Sequence, residues 1–225
     1  ELYERNRARY TEAVWIHERL LHCIQPEFLR DQIDFSCRRL GVECLDLFLL
    51  HNPEYYLRRA EADGVPLETA RATMDDRLER AFACLEELRA AGRIGSYGIS
   101  SGTLAAPFES SYTALSLERV LELATPGFRA IQFPANLLET DFRYSRLSGW
   151  GPLADVAERA SLWTISNRPL NGMPPNRSLV RLARAANPPP DEGASTVAEF
   201  NRMIDRLSEA EDRILEIFGP RHFLF

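Results

Sequence analysis

Apolar positions along the chain follow two alternating rhythms. In residues 26–41, "PEFLRDQIDFSCRRLG", Leu29, Ile33, Cys37 and Leu40 recur at three- and four-residue spacing. That spacing predicts one apolar helical face, with Pro26 in the first turn and Gly41 placed to end the helix. The run "CLDLFLL", residues 44–50, is too short for a helix and reads as a buried strand that stops at His51, Asn52 and Pro53.

The alternation then repeats. "MDDRLERAFACLEELRAAG" turns Leu78, Phe82, Leu85 and Leu88 inward, with Gly92 as its stop, and "RIGSYGISS" follows as a strand. "LSLERVLELATPG" and "GPLADVAERAS" read as helices, "FRAIQFPANLL" and "LWTISNRPLNG" as extended segments. Strand and helix units in series, with no Asn-Gly hairpin signal between adjacent strands, predict a parallel sheet covered by helices. Between the first strand and its helix, "NPEYYLRRAEADGVPLETARAT" has no strong period and is expected to be a long functional loop or surface insertion. Further on, "MPPNRSLVRLARAANPPPDEGAS" reads as a Pro-rich loop with one short helix. "TVAEFNRMIDRLSEAEDRILEIFG" reads as a long amphipathic helix striped by Phe200, Ile204, Leu207, Ile214 and Ile217 or Phe218. The first 25 residues carry no clear pattern.

Length and charge narrow the class. At 225 residues the chain is nearer one large domain than two, and residues 1–225 are expected to form a single one. Net charge is -6, with arginines and acidic residues interspersed, so no basic stripe follows a phosphate backbone and nucleic acid is not an expected partner. No apolar run approaches the roughly 20 residues of a membrane span and no charged-then-apolar leader opens the chain, which points to a cytoplasmic protein without a membrane partner. Cys23, Cys37, Cys44 and Cys84 show no CxxC pairing and are expected to be buried reduced thiols. Glu1 is not a methionine and "RHFLF" ends the chain without a polar cap, so both ends are expected to be internal to a longer protein. All 27 basic residues are arginine; no chemistry needing an ammonium can come from this stretch.

Parallel α/β folds place reacting groups at the C-terminal ends of strands. His51 ends the first strand, Ser100 and Ser101 the next, and Gln132 and Asn136 the one after. Each alone is ordinary, since small polar groups commonly end strands; together they form a rim of hydrogen-bonding groups. Neither serine has an acid–base partner in sequence, so the rim reads as a holding device. His17, His22 and Cys23 invite a metal reading, but histidines five apart do not share a helical face, and no metal site is expected. "GRIGSYG" lacks the spacing of a phosphate loop and reads as the start of a strand.

Taken in order, these segments resemble the aldo-keto reductase family. "FSCRRLGVECLDLFLLHNPE" resembles a helix and strand ending in that family's active-site histidine, "CLEELRAAGRIGSYGISS" its "LExLxxxGxIxxxGxSN" pattern, "IQFPANLLE" its "xQxxYNxL" strand and "SNRPLNGM" its "PLxxG" strand. The resemblance spans Pro26 to Pro174. It implies an α/β fold, the TIM (β/α)8 barrel, of which this chain supplies the family's fourth to seventh strands with their helices. It also implies NADPH as cofactor and a small-molecule carbonyl substrate reduced to an alcohol. His51 corresponds to the histidine that positions the substrate carbonyl, and Ser100 and Gln132 to groups holding the nicotinamide carboxamide. Ser101 stands where the family has asparagine, and Asn167 where it has a stacking aromatic ring. The family's tyrosine, lysine and aspartate have no counterpart here, and neither Tyr3 nor Tyr10 sits in the expected motif. Two other readings remain open: a non-catalytic relative that binds nucleotide or a partner as a sensor or scaffold, and an unrelated barrel enzyme. The oligomeric state is not readable.

Overall fold

The computed structural model describes residues 8–17, 20–106, 111–144, 151–173 and 180–182. Residues Glu1–Leu182 cluster as one compact unit and Ala183–Phe225 as another. The amphipathic helix expected from residue 196 onward lies outside the described residues, as does most of the Pro-rich segment before it.

Four parallel strands form the central sheet in sequential order: β3 (Leu45–His51), β4 (Ile94–Ser100), β5 (Phe128–Pro134) and β6 (Trp163–Asn167). Two strands precede it, β1 (Val14–His17) and β2 (Leu20–His22), paired antiparallel. The unpatterned opening of the chain thus contains a two-stranded ribbon without any Asn-Gly signal. The connecting helices are α1 (Pro26–Leu40), α2 (Tyr55–Ala62), α3 (Leu67–Ala90), α4 (Leu117–Leu123), α5 (Asp141–Tyr144) and α6 (Leu153–Arg159). Short strands β7 (Asn171–Gly172) and β8 (Val180–Arg181) pair antiparallel, so part of the Pro-rich segment returns as a strand rather than staying in a loop.

The helices form where the apolar period puts them, with two corrections. Pro26 opens α1 and Gly41 closes it at φ 68°, where Val42 N–H reaches back to Cys37 O (3.1 Å). Leu29, Ile33 and Cys37 are buried as expected, but Leu40, the last residue of the helix before Gly41, is 67% exposed. The segment after Asn52 is not a long loop. It folds as α2 and the first two turns of α3, separated by a break at Gly64 (φ 72°), Val65 and Pro66. Its packing positions include Ala60 and Ala70, both buried, which are too small to raise an apolar period above the surrounding charges.

Aromatic packing joins α3 to the sheet. Phe82 lies 5.7 Å from Tyr97 and 5.5 Å from Phe128 between ring centroids, and Tyr97 lies 5.9 Å from Phe128, all three buried. On the outer faces, pairs such as Arg59–Asp63 and Arg80–Asp76 (both 2.8 Å) are the local ion pairs expected of solvated helices. Tyr10 is buried against the edge of Phe28 and donates its hydroxyl to Asp31; burial first and this carboxylate second push its pKa well above the usual tyrosine range.

The cysteines are free. Cys23, Cys37 and Cys84 are buried, whereas Cys44, just before the β3 edge strand, is exposed, contrary to expectation. Among the described residues, no helix is long and apolar enough to cross a membrane.

Candidate active site

Sheet register brings the strand ends level. His51 pairs with Ser100, Ser100 with Gln132, and Pro134 with Asn167. The approach of β4 to β5 is unusually close at Gly98, where an added Cβ would lie 2.0 Å from Ala130 O; only glycine fits. Of the glycines of "GRIGSYG", Gly95 and Gly98 therefore belong to strand packing, whereas Gly92, at φ 71°, lies in the turn before β4.

At these ends lies a cavity of about 770 Å³ lined by His51, Asn52, Glu54, Gln132, Asn167 and Arg168, among others. Three residues singled out in the sequence thus meet in one place: His51, Gln132 and Asn167. Ser100 and Ser101 lie beneath, 3% and 0% exposed. Ser100 donates its hydroxyl to Gln132 Oε1 (2.8 Å), which leaves the Gln132 amide N–H2 for other partners. Ser101 Oγ accepts from Thr103 N–H (3.1 Å) and pairs with the Thr103 hydroxyl (3.3 Å). Ser100 and Ser101 thus engage different partners, Gln132 and Thr103. Asn136 folds back on its own turn, accepting from the N–H of Leu138 and Glu139 and donating to Arg168 O and Asn171 O. Its role is to tie the β5 end to the β6 end.

His51 is held from two sides. The Asn52 amide donates to His51 Nε2 (3.2 Å), and His22 Nε2 donates to the His51 carbonyl (2.9 Å). His22 also packs edge-on against Tyr55, 5.5 Å between centroids. Burial lowers the His22 pKa to about 4, against the opposing pull of its hydrogen bond to His51 O, so the ring is neutral at pH 7. In the sequence His22 stands out only as a candidate metal ligand. Its support of His51 depends on the β1–β2 ribbon, for which no local signal exists.

Glu54 is a further residue that sequence reasoning passed over. It is 4% exposed, and Oε1 accepts from Gly102 N–H (3.1 Å). Burial raises its pKa to about 7, opposed by its own backbone, the nearby Ser101 hydroxyl and Gly102 N–H, which favour the ionised form. Ser101 does not close a hydrogen bond to Oε2, which has no partner. Asn167 Oδ1 and Arg168 Nε are likewise buried without partners, although Arg168 Nη2 pairs with Glu139 Oε1 (2.6 Å). Asn52 and Arg168, at two strand ends of the cavity, adopt positive φ of 47° and 54°. Non-glycine residues in that region concentrate where structure serves a site rather than stability.

The parallel sheet, its covering helices and a polar cavity at the strand ends are the arrangement of an α/β ligand-binding or catalytic domain. Residues 10–145 match the model of the Aldo/keto reductase family, more than half of the chain, and the chain belongs to that family. Among solved structures, it is similar to that of Gox0644 in its apo form, with 21% identity over 70% of this chain and a TM-score of 0.40. The match covers 42% of the Gox0644 chain. No curated protein matches.

Proposed function

We propose that this chain is part of an NADPH-dependent reductase that converts a carbonyl to an alcohol, with the described sheet as the family's fourth to seventh strands in a single TIM-barrel domain. The observation that carries this reading is the convergence of His51, Gln132 and Asn167 on one cavity at consecutive strand ends. Barrel closure is supported by the edges of the sheet. Among the described residues β3 and β6 have no outer partner strand, and Trp163 on β6 is 57% exposed. Parallel edges of this kind are ordinarily covered or closed by further strands.

The residues present fit a nicotinamide carboxamide, which offers N–H donors and a carbonyl acceptor. Asn167 Oδ1 is an unpartnered acceptor, and Gln132, its oxygen engaged by Ser100, has N–H2 to donate. When bound, the cofactor supplies the hydride. Ser100 fixes which way the Gln132 amide faces, and Ser101, through Thr103, shapes the loop after β4. Asn167 stands where the family stacks a ring and would hold a nicotinamide through its side-chain amide rather than by stacking. His51 holds the substrate oxygen, and Asn52 orients its ring. The site therefore supplies positioning, with proton delivery assigned to no residue of this stretch.

The test is NADPH oxidation by the full protein with a simple aldehyde. Turnover that His51→Ala lowers by about 100-fold or more in kcat/KM supports the reading. Turnover that persists undiminished in His51→Ala, or none in the wild type, refutes it.

A further inference from the structure

His22 carries out no step in the reading above, yet it meets the turn that holds His51 from both ends. β3 is the outer strand of the described sheet, and the backbone groups at its tip face opposite ways. Asn52 N–H goes inward to Ser100 O (2.6 Å). The His51 carbonyl goes outward, where no strand lies among the described residues, and His22 Nε2–H supplies the bond (2.9 Å). A carbonyl only accepts, so this contact fixes Nε2 as the protonated nitrogen of the neutral ring. On the far side of the turn the same ring packs edge-on against Tyr55, whose own N–H is bonded to Asn52 O (3.0 Å). The imidazole therefore bridges the residues before and after Asn52.

That bridge bears on the chemistry because Asn52 is strained. At φ 47° a non-glycine residue persists only where its surroundings over-determine it, and the Asn52 amide is the donor that sets the His51 ring through Nε2 (3.2 Å). His22 is not one of the cavity's lining residues, so any effect it has on a bound molecule passes through this turn. Resting on the reductase reading, we propose that His22 is a positioning residue for the carbonyl reduction: its N–H on the His51 carbonyl and its ring against Tyr55 hold the turn so that the His51 ring stays aimed at the substrate oxygen. A group that acts through orientation is sensitive to small displacements, and its loss falls on the reaction more than on cofactor binding.

The test measures NADPH oxidation with a simple aldehyde, and NADPH binding by fluorescence titration. It uses the full protein with His22→Leu, His22→Gln, His51→Ala and the double variant His22→Leu/His51→Ala. Leucine fills much of the ring's space without a donor, whereas the glutamine amide nitrogen lies as many bonds from Cβ as imidazole Nε2 and restores the N–H. His22→Leu is expected to lower kcat/KM by about tenfold or more while leaving the Kd for NADPH within about twofold. His22→Gln recovers most of the loss, and on the residual turnover of His51→Ala the leucine change has little further effect. A loss of folded protein lowers both backgrounds alike and does not reproduce that coupling. Full activity in His22→Leu, a loss in His22→Gln as large as that of leucine, or a loss that recurs undiminished in the His51→Ala background overturns this inference and leaves the reductase reading standing. No turnover by the wild type overturns both.

Discussion

Along β4, Tyr97 and the strand's C-terminal end stand only a few residues apart, yet their surroundings differ in how fully each polar group is satisfied. The Tyr97 ring packs on Phe82 and Phe128, its hydroxyl bonds Thr125, and Thr125 donates on to Glu86 Oε2 (2.8 Å). Glu86 also accepts from Gly127 N–H (3.0 Å) and Arg89. Beyond Ser100 the pattern reverses. Glu54, Asn167 and Arg168 each keep a buried polar atom without a partner, and two non-glycine residues sit at positive φ. The polar groups around Tyr97 are partnered with one another, and several of those at the strand ends keep a buried atom without a partner.

The comparison breaks most visibly at the packed side. Phe82→Ala removes the ring shared by Tyr97 and Phe128, and a loss of about 3–5 kcal/mol is expected in chemical denaturation. A loss below about 1 kcal/mol would mean that the three rings are not a cooperative core.

At the strand ends the expected effects are smaller and depend on pH. Glu54 has a folded pKa of about 7 against an ordinary 4.5, so between those values the folded state binds more protons than the unfolded one. The stability of its neutral form is complete below about pH 4.5 and is lost as pH rises through about 7. Above that, the buried carboxylate costs up to about 3 kcal/mol. Glu54→Gln should therefore be more stable than the wild type at pH 8, with the gap closing toward pH 4.5. Denaturation midpoints across that range check it, and parallel curves for the two proteins would contradict the burial penalty. The smallest effect belongs to backbone strain. Asn52→Gly should stabilise the fold by less than about 1 kcal/mol, because glycine adopts positive φ without a Cβ clash, offset by its greater freedom when unfolded. A destabilised Asn52→Gly would show that the amide contact to His51 outweighs the strain.

Part of this contrast could be read in the sequence. The burial of Leu78, Phe82, Leu85 and Leu88 follows from helical spacing, and the placement of His51, Ser100 and Gln132 at strand ends follows from apolar runs that stop at them. Other features were not visible there. Glu54 looks like one more charge in an acidic and arginine-rich segment, and α2 carries too little apolar period to be seen. His22 reaches His51 across 29 positions, through a ribbon that lacks a turn signal.

The sequence by itself determined the succession of strands and helices, their parallel sense and the polar residues at the strand ends, because periodicity and chain breaks are properties of neighbouring residues. Tertiary structure alone decided which of those polar residues face the cavity, which are consumed beneath it, and that a glutamate is buried at its wall. Burial and hydrogen-bond partnership arise when distant segments meet: Gly98 against Ala130, Glu54 against Gly102, His22 against His51.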